Sequence, residues 1–290
     1  MLRVYRVSGG TTAPHALALD EVSAVLLSGG LALVPTETVY GIGVAVRAFA
    51  EPAELVESAG ALDAAAGALD AAGPAAEPAE SAAAGGPAAA SGSIAAGGPA
   101  AASAPTVAAA ASAAAALPPE GSGYRRIFSL KQRDLAQTVP WLVAGEDDLD
   151  IYGQDAGEQT HALARAFWPG ALTLIVRASD AVPAFMRAAD GTVALRASAS
   201  PVVQGLIRAC GSPLAVTSAN THGAPAPASF EEVEPRVLAG VDVAIDAGAT
   251  TCRTASTIVS CIHGRAEVLR EGALSAAQIE DALGSAPARM

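Results

Sequence analysis

Apolar and polar positions along this chain fall into short runs whose period switches between that of a helix and that of a strand. Leu17, Leu19, Val22, Val25 and Leu26 recur at helical spacing before Gly29-Gly30, with Thr12 placed as an N-cap and Pro14 in the first turn, which predicts a helix. LALV (31–34) then reads as a buried strand and GVAVR (43–47) as the next. YRRIFSLKQR (124–133) suits a short helix. Strands are predicted at ALTLIVR (171–177), VALR (193–196), PLAVTS (213–218), VDVAID (241–246), STIVS (256–260) and RAEVLRE (265–271). Helices fit 155–167, 201–210, 230–239 behind the capping box Ser229-x-x-Glu232, and 276–284 behind Ser275-x-x-Gln278. Strands and helices interleaved in this way point to one α/β domain built on a twisted, mixed open sheet with flanking helices.

That grammar stops between residues 51 and 123. The segment is mostly Ala, Gly, Pro and Ser without one aromatic residue, and GGPAAA occurs twice, at 85–90 and 97–102. Methyl side chains bury too little area to offset the entropy of ordering, and GGP breaks helices. A short helix fits 51–72, whereas roughly 84–120 is expected to stay disordered; an independent helical subdomain is the alternative. The domain reading is therefore a single unit over 1–290, with its core at about 12–50 and 124–284 and a low-complexity insertion at 51–123.

Half of the chain is apolar (51%) yet only 4% is aromatic, an imbalance produced by alanine. No run of strongly apolar residues is long enough to span a bilayer, and MLRVYRVSGG lacks the apolar core of a secretory signal. Cys210, Cys252 and Cys261 form no CxxC pair, and reduced, buried thiols are the natural reading. A cytoplasmic protein with no metal site and no membrane partner is expected. The net charge of −12 argues against a general nucleic-acid surface. Much of it sits in 51–123, which holds eight acidic residues and no basic one, so a local positive pocket in the core remains compatible with the total.

Candidate chemistry lies at the strand ends. PTETVYGIG (35–43) follows a buried strand with Thr36, Glu37, Thr38 and Tyr40 on a glycine-flanked turn. Lys131 is the one lysine among seventeen basic residues, and Lys131-x-Arg133 brings two cations together as phosphate clamps do, although a solvated helix end reads the same way. Thr217, Ser218 and Asn220 end the LAVTSANTHG run where open sheets bind ligands, or else make a polar turn. Ser256, Thr257 and Arg270 stand at further strand ends. No G-x-S-x-G elbow, P-loop or dinucleotide fingerprint is present, and EDDLD (146–150) reads as a solvated acidic loop.

In order, PTETVYGIG, LKQR, WPGALTLIV, LAVTSANTHG, STIV and LREGAL make the chain resemble the YrdC-like threonylcarbamoyl-AMP synthase family, in its short, single-domain form. The resemblance implies a YrdC-like α/β fold around a positive cleft and the condensation of L-threonine, bicarbonate or carbon dioxide, and ATP to threonylcarbamoyl-AMP and pyrophosphate. It further implies a partner transferase complex that carries the product to tRNA, and Mg²⁺ arriving with ATP. By the same resemblance, Lys131 and Arg133 are the catalytic cations and meet the ATP phosphates. Ser218, Asn220, Ser256 and Arg270 complete the ATP site; Thr36, Tyr40 and Arg133 face threonine. The chain departs from the family pattern at Asp134, at Leu142, which takes the place of a histidine, and at ASASP (197–201). An RNA-binding or altered-activity paralogue of the same fold is the competing reading, and direct RNA binding is left open.

Overall fold

Eleven strands make one mixed sheet in the computed structural model, which describes residues 2–7, 16–49, 117–135 and 137–284. The expectations for Thr12, Pro14 and most of the 51–123 insertion lie outside these residues. In chain order the strands are β1 (Arg3–Arg6), β2 (Ala32–Pro35), β3 (Tyr40–Ala45), β4 (Trp141–Val143), β5 (Gly153–Gln154), β6 (Leu172–Ala178), β7 (Thr192–Ala197), β8 (Leu214–Ser218), β9 (Val243–Asp246), β10 (Thr257–Ser260) and β11 (Glu267–Arg270). The helices are α1 (Ala16–Leu27), α2 (Gly123–Lys131), α3 (Asp148–Tyr152), α4 (Glu158–Phe167), α5 (Pro201–Cys210), α6 (Pro235–Gly240) and α7 (Ala276–Gly284). The sheet order is β1-β9-β2-β3-β8-β4-β7-β6-β10-β11, with β5 paired to β6. No described helix is long and apolar enough to cross a membrane.

Because successive strand residues point to opposite faces, each strand divides its side chains between two cores. Leu33, Trp141, Val143, Leu174, Leu195 and Ala215 face one core, with Tyr124, Ile127 and Phe128 of α2, Leu163 of α4 and Ile279 of α7. Ala32, Val34, Leu142, Leu214 and Val216 face the other, covered by Val22 and Leu26 of α1 and Val203, Leu206 and Ile207 of α5. Both groups are almost fully buried.

The departures from the sequence reading have local causes. The 230–239 helix is divided: a 3₁₀ turn at Phe230–Glu232 precedes α6, which begins at Pro235. The Glu232 carboxylate accepts the Ala228 amide (2.7 Å), and Ser229 makes no capping bond. The second capping box does form, since Gln278 N donates to Ser275 Oγ (3.3 Å) and Ser275 N to Gln278 Oε1 (2.9 Å). EDDLD is no solvated loop. Asp148 is buried, its carboxylate accepts the Ala144 amide at 2.6 Å, and it opens α3. Cys210 and Cys261 are buried as expected, but Cys252 is exposed.

Gly41 and Gly43 explain the glycines of the PTETVYGIG stretch. β3 runs antiparallel to β8, and Val216 packs over both positions. A Cβ on Gly43 would lie 2.5 Å from Val216 Cγ2 and 2.6 Å from the Ala215 carbonyl oxygen. Backbone cannot yield as a flexible side chain does, so Gly43→Ala is expected to destabilise by about 1–3 kcal/mol, the usual range for overpacking. A urea midpoint unchanged from wild type would refute this close approach.

Candidate functional site

One cavity opens on the α1/α5 side of the sheet, beyond the edge of that helix pair. Its floor follows the two-residue period: Val216 and Ser218 of β8, Ala194 and Arg196 of β7, Thr173 and Ile175 of β6, then Ser256 and Ile258 at β10. Leu142 of β4 sits among them, directly opposite Arg196 in the β4–β7 register. Thr36, Thr38 and Tyr40 form the wall from the β2–β3 turn, and Arg270 closes the far end.

The β2–β3 turn is organised by its own hydroxyls. Thr36 Oγ1 donates to Val39 O (2.6 Å), accepts the amides of Thr38 and Val39 (both 3.1 Å) and lies 2.8 Å from Thr38 Oγ1. Thr36 thereby shapes the wall from within. The Tyr40 hydroxyl donates to Gly248 O (2.8 Å) and accepts from Ala247 N (2.9 Å), and burial pushes it up to about 12. Its hydroxyl is thus committed to the backbone, and its ring packs edge-on against Phe230. The β9–β10 connection is tied down over this turn by Thr250 Oγ1 to Thr38 O (2.8 Å) and Cys252 N to Glu37 O (2.8 Å).

Glu37 carries the charge chemistry of the wall. Its carboxylate pairs with the Arg196 guanidinium at 2.5 Å, with the two side chains only 10% and 8% exposed, and accepts the Ser198 hydroxyl as well. Arg196 Nε donates to Gly170 O (3.1 Å), so the Trp168-Pro169-Gly170 corner also fixes this guanidinium. Ser200 Oγ donates to Pro35 O (2.8 Å). The ASASP stretch is therefore what docks the end of β7 onto the PTE turn.

Lys131 lies behind the cavity floor and not in it. At the end of α2, where Gln132 adopts a left-handed cap, its ammonium is buried. It donates to Ser218 O (2.6 Å), Asn220 O (2.9 Å) and Asn220 Oδ1 (3.1 Å), with Ser218 Oγ at 3.4 Å. Burial, reinforced by repulsion from Arg133, pulls it down to about 8 against the opposing pull of Glu234. Arg133 is half-buried, with its guanidinium held by Gln137 Oε1 and Thr138 O. Arg270 Nη2 donates to Ser256 O (2.6 Å), and Ser256 Oγ lies 2.9 Å from Thr173 Oγ1. Burial lowers both guanidiniums from their ordinary range.

Of the residues singled out in the sequence, Thr36, Tyr40, Ser218, Ser256 and Arg270 thus line one cavity. Lys131 and Asn220 form the layer behind Ser218, and Arg133 follows on the turn after α2. Arg196 and Thr173 were not singled out, and Leu142 and Ser198 entered only as departures from the family pattern. Arg196 had a legible signal, a charged residue closing an apolar strand, which a buried partner must satisfy. Among the described residues no group of three His, Cys, Asp or Glu side chains could hold a metal.

A family model named for Sua5, YciO and YrdC, with the description telomere recombination, matches residues 108–272, more than half of the chain. The chain belongs to this family. The match covers β4 to β11 but not the 35–43 stretch, whose place in the family fold rests on structural likeness. Sua5 of Pyrococcus abyssi, in a structure titled as a complex with L-threonine, aligns with 99% of this chain and 62% of its own at a TM-score of 0.66 and 22% identity. Escherichia coli YciO aligns over 94% of this chain and 96% of its own, with a TM-score of 0.63 and 16% identity. In sequence, the threonylcarbamoyl-AMP synthase of P. abyssi is 31% identical over 160 residues, 55% of this chain and 47% of the relative. That of Vibrio cholerae is 32% identical over 157 residues, covering 53% of this chain and 82% of the relative. The chain therefore spans about half the length of the P. abyssi relative it matches.

Proposed function

We propose that this chain is an L-threonylcarbamoyladenylate synthase, a nucleotidyltransferase that condenses L-threonine, bicarbonate and ATP. The observation that carries the reading is the similarity to relatives named threonylcarbamoyl-AMP synthase, together with a family match over 108–272 that contains most of the strands lining a cavity with the arginines Arg196 and Arg270. In the reaction, a carbamate oxygen formed on threonine attacks the α-phosphorus of ATP. A new P–O bond forms, the bond from that phosphorus to the β-bridging oxygen breaks, and pyrophosphate leaves with the electron pair. Both reactants are anionic, so fixed positive charge in a low-dielectric site is the main requirement. Mg²⁺ enters with ATP as part of the substrate.

Arg270 donates to a backbone carbonyl through Nη2, which leaves guanidinium donors for a phosphate or carboxylate. Arg196 is neutralised by Glu37 and serves as a fixed donor set. Lys131 contributes charge from behind the floor and holds the Ser218–Asn220 corner for the nucleotide, with Arg133 beside it. Thr36 and Tyr40 shape the threonine end, where Leu142 supplies an apolar surface suited to a methyl group. Holding both substrates together lowers the barrier by several kcal/mol, within the ~7–11 kcal/mol that proximity supplies in ideal cases. The product would pass to a threonylcarbamoyl transferase acting on tRNA.

Pyrophosphate release from ATP, measured with and without L-threonine and bicarbonate, tests the proposal. Release that requires both, with L-serine clearly poorer, is the expected result. Release indifferent to threonine, or none, would overturn it.

A further inference from the structure

Glu234 lies outside the cavity and is absent from every motif noted above, yet it grips the corner behind the floor. It precedes α6, and its two carboxylate oxygens accept the Thr221 amide (2.9 Å) and the Thr221 hydroxyl (2.8 Å). Arg236 Nη2 donates to the same hydroxyl at 2.7 Å. One residue away, Asn220 offers Oδ1 and its carbonyl to the Lys131 ammonium, and His222 N donates to Lys131 O (2.9 Å). The stretch from Ser218 to His222 is therefore held on one side by the end of α2 and on the other by the start of α6.

We infer that Glu234 is a positioning residue of the site: it fixes Thr221, and through Thr221 the Ser218–Asn220 corner that holds the single lysine of the chain. Lys131 is buried in a ring of neutral carbonyl acceptors. Of the charged groups around it, Arg133 on its own turn repels it and Glu234 attracts it, while Arg236 stands beyond Glu234 at 3.9 Å. A carboxylate near a buried ammonium that has one cationic neighbour offsets part of that repulsion and favours the charged form. Glu234 acts on the corner in two ways, by geometry and by charge.

The sequence makes the second action directly measurable, because with one lysine in 290 residues a protein grown on ¹³C-labelled lysine gives one Nζ-adjacent resonance. In the wild type this resonance is expected to titrate near the value of about 8 that burial imposes. In Glu234→Gln the midpoint is expected to fall by roughly half a pH unit or more, and Glu234→Asp should restore most of it. In parallel, the alkaline limb of pyrophosphate release should move down by the same interval in Glu234→Gln, with KM for ATP raised and kcat at pH 7 changed less. The kinetic arm rests on the synthase reading; the resonance does not. A shifted lysine midpoint in a protein that releases no pyrophosphate would support the positioning role and sink the synthase reading. An unmoved lysine midpoint in folded Glu234→Gln, judged by an unchanged amide spectrum elsewhere, would overturn the inference whatever the activity.

Discussion

Lys131→Met is expected to reduce ATP-dependent pyrophosphate release by on the order of 10²-fold, the loss typical when the groups that position a substrate shift, because the Ser218–Asn220 corner loses the ammonium that holds it. The stability of this variant should change far less, because two effects oppose. Removing the ammonium relieves the burial that lowers its pKa to about 8, but leaves the Ser218 and Asn220 carbonyls without their donor. The sequence alone places Lys131 as a cation in the cleft, separable from the core; the structure puts it in the buried layer behind the cavity floor. The wild-type pH response follows from the same shift. The folded-state pKa lies below that of the unfolded chain, so between pH 8 and about 10.4 the unfolded state holds more protons and this group's contribution to stability rises with pH. Over that same window the ammonium is lost, and turnover should fall. Activity and urea midpoints measured from pH 7 to 10 should therefore diverge; parallel curves would show that Lys131 carries no charge relevant to the reaction.

Glu37→Ala is expected to be the most destabilising single change at the site, at about 3–5 kcal/mol, because it leaves the buried Arg196 guanidinium unpaired. Ser198 loses its acceptor in the same step. Arg196→Met combined with Glu37→Ala should recover a large part of the loss, since no uncompensated charge then remains. Urea denaturation of the two single variants and the double variant closes the cycle. Additive losses would mean that the pair is not coupled, and that the wall of the cavity is held by the Thr36 turn alone.

Much of the fold was legible because it is local. Strands with a two-residue period and helices with caps announced most of the sheet and the helices on it. What escaped was short or shaped by side-chain bonds to nearby backbone that no periodicity reports. β1 and β4 are four and three residues long and carry no pattern by themselves. The end of the acidic run at 146–150 opens α3 because Asp148 is buried against the amides before it. The Ser229 box failed because Glu232 reached back to Ala228.

The site divides along the same line. Sequence by itself determined which residue types stand at the strand ends, the hydroxyls of the 35–40 turn, the S-x-N corner, the lone lysine and the closing arginine, since strand ends are set by local alternation and turn residues. Only the tertiary structure decided which of them share a face. The sheet order sets β3 beside β8 and β4 beside β7, bringing Glu37 to Arg196 across 159 positions and Lys131 to Asn220 across 89. Such pairings are chosen by which strand registers bury both faces of the sheet and leave no charge unpaired, a condition that belongs to the whole chain and to no segment of it.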